Sequence, residues 1–106
     1  MVIDRFEVYL VTLDPAVGAE MRKPRPCVVV SPNEMHRNLQ TVLVAPMTTT
    51  QRGYPTRVSC KFSGKQAEIA CDQIRAVDRS RLVKRLGRLD RPAASRLVRT
   101  LVRIFC

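Results

Sequence analysis

The apolar residues of this chain adopt clear helical spacing in one place only, the last segment. There Ala94, Leu97, Val98, Leu101, Val102 and Phe105 recur on one face, and Arg96, Arg99 and Arg103 lie on the other. Pro92 suits the first turn of that helix, and the arginine stripe reads as a solvated face. Upstream, the apolar runs are short and rich in β-branched residues. Residues 6–13 (FEVYLVTL), 27–31 (CVVVS), 41–47 (TVLVAPM), 56–62, 66–71 and 74–77 each read as a strand. Ser63-Gly64-Lys65 supplies hairpin chemistry between two of them. Pro46 is expected at a strand end or on an edge. Ser31 and Pro32 resemble a helix start for PNEMHRN, with Ser31 as the N-cap. Asp78 could cap a short basic helix, RSRLVKRL, ended by Gly87. Strands and helices do not alternate regularly, which argues against a parallel sheet. The expectation is an α+β fold over residues 1–106 as one domain, a strongly curved antiparallel sheet or small barrel with short helices and the terminal helix packed on it.

Charge narrows the partners. The net charge of +10 is unevenly placed: residues 1–73 hold nine Lys/Arg against seven Asp/Glu, and residues 74–106 hold ten against two. A small domain this basic suits a polyanion or an acidic protein. No apolar run approaches the ~18 residues of a membrane span. Asp4 and Arg5 precede the first apolar stretch, unlike a signal peptide, so a cytoplasmic protein is expected. Cys27, Cys60, Cys71 and Cys106 form no C-x-x-C pair and read as small buried hydrophobes. With His36 the single histidine, a Cys/His zinc site is not expected, and neither is any cofactor. Residues 14–24 show no helical or strand period and read as a loop, where function often resides.

Three segments together resemble the MazF/PemK/Kid toxin family. VYLVTLDPAVGAEMRKPRPCVVVSP (8–32) is similar to the family's first strand, its "LDP…G.E" loop and its "K.RP" step; TVLVAPMTT (41–49) and CDQIRAVDRSRLVKRLGRL (71–89) resemble two further segments in the same order. The resemblance implies an SH3-like barrel with a C-terminal helix, usually homodimeric. It implies ribosome-independent cleavage of single-stranded RNA, and neutralisation by an antitoxin whose acidic tail covers the RNA site. Two departures stand out. Phe6-Glu7 replaces the usual Gly-Asp or Gly-Glu, and Ala70 stands where the Kid branch carries an arginine two residues before the aspartate of the DQ motif.

Metal-free RNA cleavage uses the 2′-OH as nucleophile and needs proton transfer and cations for the charge developing on phosphorus. A two-histidine mechanism is excluded by count, and His36 reads as a surface residue. Arg25, at the "K.RP" step, is the best candidate for phosphate contact, since its planar fork suits bidentate binding. Thr48 follows the matched strand and could donate a hydroxyl to phosphate, or form a strand-end turn. Asp72 is the matched carboxylate that could act as base, or make a structural hydrogen bond. Glu20, Arg22, Lys23, Thr49, Gln73 and Arg75 are candidate RNA contacts. Tyr54 is the plausible stacking platform, and Tyr9 is expected in the core or facing a dimer partner. Two other readings keep the fold but change the function: a gyrase-gripping toxin of the CcdB kind, and an SH3-like RNA-binding module without chemistry.

Overall fold

The computed structural model describes residues 2–12 and 24–106. Seven strands form one sheet: β1 (Glu7–Val11), β2 (Arg25–Val29), β3 (Thr41–Thr48), β4 (Arg57–Phe62), β5 (Lys65–Ala70), β6 (Arg75–Asp78) and β7 (Leu82–Arg88). The spatial order is β4-β5-β3-β2-β1-β7, with β6 pairing beside β3, and every pairing is antiparallel. Helix α1 (Asn33–Asn38) follows β2, and α2 (Arg91–Phe105) closes the described chain. Single 3₁₀ turns at Cys71–Gln73 and Arg79–Arg81 flank β6. The expected α+β fold with a curled antiparallel sheet is what forms.

Strand alternation explains why the central strands read as unbroken apolar runs. Val8, Val28, Ala45 and Met47 join one core cluster, with Ile69, Ala93 and Leu97. Their strand neighbours Tyr9, Val11, Cys27, Val29, Val42 and Val44 join a second, with Ile3, Val77 and Leu82. Both faces are thus covered, so CVVVS shows no polar alternation. The sheet curls far enough for its two ends to meet: a Cβ built on Gly87 of β7, whose φ of 157° disfavours other residues, would lie 3.1 Å from Phe62 Cζ of β4, so a larger residue there would push the ring aside. At the β4–β5 hairpin, Ser63 and Gly64 take φ of 51° and 75°, as a two-residue type I′ turn demands.

Five local expectations are corrected. RSRLVKRL makes one 3₁₀ turn and then strand β7: Asp78 does cap, accepting the Ser80 N–H at 2.9 Å, but pairing with β1 takes over from Leu82. Pro46 lies inside β3, opposite Cys27. β6 pairs with residues 41–44 and β5 with residues 47–48, so the proline falls where one partner strand gives way to the next. Pro32, not Ser31, is the N-cap of α1. Ser31 is buried, and its hydroxyl lies 2.6 Å from His36 Nε2 and accepts the Leu43 N–H at 3.1 Å. His36 is therefore no surface residue: it is 4% exposed. Its Nδ1–H donates to the Ile3 carbonyl at 2.8 Å, tying the N-terminal segment to α1. Finally, α2 is rotated from the expected stripe. Ala93, Leu97 and Thr100 face inward, while Val102 and Phe105 are 53% and 75% exposed. Asp90 caps this helix through the Ala93 N–H at 2.9 Å.

Cys27, Cys60 and Cys71 are buried free thiols, as expected, and Cys106 is exposed. Among the described residues no helix is long and apolar enough to cross a membrane.

Candidate RNA-cleavage site

Where β3 exchanges β6 for β5, the sheet opens a cleft of about 170 Å³. Arg25, Thr48, Thr50, Arg52, Arg57 and Gln73 line it around a floor that includes Pro46 and Ala70. The β2–β3 register explains the first two: it sets Cys27 opposite Pro46 and, continued two residues, brings Arg25 to Thr48. Arg25, exposed at the start of β2, makes no side-chain hydrogen bond among the described residues. Thr48 Oγ1 accepts the Thr50 N–H at 3.1 Å. The strand-end turn considered from sequence therefore forms, and it uses only a lone pair, leaving the hydroxyl proton for another acceptor.

Two of the three cations, Arg52 and Arg57, were not singled out from sequence. Arg57 opens β4 directly opposite Ala70 of β5. Its Nε donates to Asp72 Oδ1 at 2.9 Å, its Nη2 to Asp72 Oδ2 at 3.5 Å, and its Nη1 lies 3.5 Å from Glu68 Oε1. Thr56 Oγ1 donates to the same Asp72 oxygen at 3.1 Å. The Arg57 guanidinium also sits over the Tyr54 ring, 5.2 Å from its centroid. The Arg57 hydrogen bond holds the Asp72 carboxyl below the usual range, overriding the upward push from burial.

Beneath these groups Glu68 is 3% exposed. Its Oε2 accepts the backbone N–H groups of Gly53 at 2.8 Å and Arg52 at 3.0 Å, which fix the loop before β4. Those two bonds, Gly53's first, lower its pKa. Its Oε1 accepts no hydrogen bond among the described residues and has the Arg57 guanidinium as its nearby charge. The signal that could have found this pair is a glutamate inside the apolar run Ala67–Cys71, with an arginine at the start of the neighbouring strand.

Of the residues singled out from sequence, the fold gathers Arg25, Thr48 and Gln73 at the cleft, with Asp72 behind Arg57. Tyr54 is exposed next to it. Thr49 is exposed beyond the strand end, Arg75 sits on β6 opposite Val44, and neither is among the residues lining the cleft. Tyr9 is in the core. Glu20, Arg22 and Lys23 lie outside the described residues. Among the described residues no three of His, Cys, Asp and Glu converge as a metal site.

Comparisons with known proteins place the chain in a family and a fold. The model of the PemK-like, MazF-like toxins of type II toxin–antitoxin systems matches residues 4–105. The Bacillus subtilis endoribonuclease EndoA is 32% identical over 96 residues, covering 85% of this chain and 83% of that protein. The Escherichia coli endoribonuclease PemK is 30% identical over 93 residues, covering 82% and 70%. Among solved structures, the MazE–MazF complex (Form II) of Deinococcus radiodurans aligns with TM-score 0.85 at 23% identity, over 99% of this chain and 96% of that one. A mycobacterial endoribonuclease in complex with its cognate antitoxin aligns with TM-score 0.82 at 24% identity, over 97% and 94%. The chain belongs to the PemK/MazF family of type II toxin–antitoxin toxins.

Proposed function

We propose that this protein is a sequence-specific endoribonuclease toxin that cleaves single-stranded RNA without a metal or the ribosome, and that the cleft holds the scissile phosphate. The observation that carries this reading is the convergence of Arg25, Arg52 and Arg57 with the Thr48 hydroxyl around one small cleft, in a family whose named relatives are endoribonucleases. In the proposed step the 2′ oxygen attacks the adjacent phosphorus and the P–O5′ bond breaks. The 2′ proton passes to solvent water and the 5′ oxygen takes one from solvent water, giving a 2′,3′-cyclic phosphate and a 5′-hydroxyl. Arg25 and Arg57 carry the charge that develops on the phosphoryl oxygens, and Thr48 donates its proton to one of them.

Asp72 takes a different part from the base considered above. A carboxylate held below its usual pKa by Arg57 is a poor proton acceptor at neutral pH. Its two bonds instead keep Arg57 aimed at the cleft, so Asp72 acts as a positioning residue. Arg57 also brings a guanidinium to the place that Ala70, its partner across the strand pair, leaves without one. Gln73 and Tyr54 are proposed base contacts, Arg22 and Lys23 proposed phosphate contacts, and Glu20 a proposed base contact from the loop before Arg25.

An antitoxin partner fits the same surface. The related toxin structures include complexes with MazE or a cognate antitoxin. An extended acidic segment would compete with RNA for Arg25, Arg52 and Arg57. A homodimer is the proposed assembly: Val102 and Phe105 on α2, and Val83 and Leu86 on β7, leave apolar surface exposed.

The test is incubation with single-stranded RNA in EDTA, followed by analysis of the product ends. Cyclic phosphates and 5′-hydroxyls support the reading. Retention without cleavage would make the protein a binding module, and gyrase-dependent DNA breaks would make it a gyrase poison.

A further inference from the structure

A second basic groove, of about 270 Å³, runs between β4 and α2. Arg57, Ser59, Arg96, Arg99, Thr100 and Arg103 line it, and Arg57 also lines the cleft. The two grooves therefore share a wall. Arg96 is fixed by donating Nη2–H to the Ser59 carbonyl at 2.9 Å, which leaves its other donors unspent. Arg99 and Arg103 make no side-chain hydrogen bond or ion pair among the described residues. Helix α2 carries no Asp or Glu from Arg91 to Phe105, and neither does β4. Asp90 caps α2, and the two carboxylates beside Arg57, Asp72 and Glu68, face it from the cleft side.

We propose that this groove binds the phosphate backbone of the RNA flanking the cleavage site, so that the substrate runs from the cleft past Arg57 along α2. The proposal rests on the reading of the cleft given above. Arg96 to Arg103 spans about 10 Å along the helix at 1.5 Å per residue, more than one phosphate needs. The occupant is therefore a chain of phosphates rather than a single anion. The apolar residue of the lining, Val58, is buried, so the groove offers no pocket for the apolar anchors that give acidic peptides their affinity. Guanidinium forks alone suit a sugar–phosphate backbone, which carries charge at every step and can be any sequence. The arginine stripe is thus a tether that adds affinity without adding sequence choice.

The experiment uses the full chain and two RNAs: the shortest efficiently cleaved oligonucleotide, and the same motif extended on one side or the other by about ten nucleotides. Binding is measured across a salt series with the scissile 2′-OH replaced by hydrogen. The R99Q/R103Q variant should cleave the short RNA as wild type does, while its salt slope on one of the extended RNAs falls by about 1.4, since each single-strand phosphate contact contributes ~0.7. R99K/R103K should restore most of the slope, which a folding defect would not allow. Unchanged affinity and slope on both extended RNAs would overturn the groove and leave the cleft reading intact. An equal loss on short and extended RNAs would also overturn it. So would a variant that binds extended RNA normally but loses affinity for poly-glutamate, because the groove would then belong to an acidic protein. If wild type binds the extended RNA with the expected slope but cleaves neither, the reading of the cleft fails and the groove stands.

Discussion

Two corners of this sheet are built from the same ingredients, and only one faces the cleft. At the β1–β7 corner, Glu7 is 6% exposed and fully used: Asp4 N–H donates to Oε1 at 2.8 Å, the Tyr9 hydroxyl to the same oxygen at 3.1 Å, and Arg85 to Oε2. Burial pushes the Glu7 pKa up, but those three donors pull it below its ordinary value. The Tyr9 hydroxyl, buried beside that carboxylate, is pushed up to about 12. At the β4–β5 corner Glu68 is as buried, but one of its oxygens accepts no hydrogen bond among the described residues, and its arginine is shared with Asp72 and the cleft. Glu7 and Arg85 satisfy each other and form a brace. Glu68 and Asp72 together hold Arg57 in place at the wall of the cleft, where 9% of its side-chain surface stays exposed. The contrast is between a pair that closes on itself and a pair left open on one side.

The largest effects should come from the open corner. Arg57→Ala and Arg25→Ala should each cost ~10²–10³ in cleavage rate with the fold intact, the usual loss for one transition-state contact. Arg85→Ala should leave the rate unchanged and lower Tm. Near-normal cleavage by a folded Arg57→Ala protein would erase the distinction between the corners. Thr48→Val keeps the side-chain shape and removes the hydroxyl; a wild-type rate would leave Thr48 a turn residue only.

Glutamine replacements sharpen the same comparison at smaller amplitude. Glu68→Gln should lower kcat, by up to ~10² if the loop and Arg57 shift by as much as an ångström. Glu7→Gln should lower thermal stability and leave kcat alone. Steady-state kinetics beside thermal melts separate the two outcomes, and a kcat loss in Glu7→Gln would show that both corners serve the reaction.

The sequence carried more of the fold than of this distinction. Short β-branched runs, Ser63-Gly64 and the apolar period after Pro92 were enough for a curved antiparallel sheet with a terminal helix. β7 was hidden because RSRLVKRL has helix-favouring residues, and its pairing with β1 is a tertiary matter that local propensity does not contain. His36 was misplaced for a similar reason: its partners Ser31 and Ile3 come together only when the N-terminal segment folds over α1. Arg25 and Thr48 were legible because they sit in recognisable segments. Arg57 was not, since its importance comes from lying across a strand pair from Ala70 and against a glutamate eleven residues away in sequence.

Acid should weaken both corners together. Glu7, Glu68 and Asp72 all have folded pKa values below their ordinary ones, so their stabilisation is fully present above the ordinary carboxylate range. It is lost as pH falls from ~4 through the lowered values. Melts should therefore be flat from neutrality to about pH 5 and fall below pH ~4, and Glu7→Gln should make that fall shallower. Alkali acts in the opposite sense on the core. Burial raises the Cys27 thiol to about 12 and Cys71 to about 11, so their contribution is present below ~9 and is lost as pH rises through those values. In native protein a thiol reagent should label Cys106 rapidly and the three buried cysteines only on unfolding.

The central claim is that the open corner serves attack by a ribose hydroxyl on its own phosphate. The direct measurement replaces the single 2′-OH at the mapped scissile nucleotide with hydrogen, leaves every other ribose intact, and compares binding and cleavage with the all-ribose RNA. The account predicts near-equal binding and no cleavage at that bond. Cleavage at the substituted position at a comparable rate would mean that another nucleophile attacks, and would contradict the account.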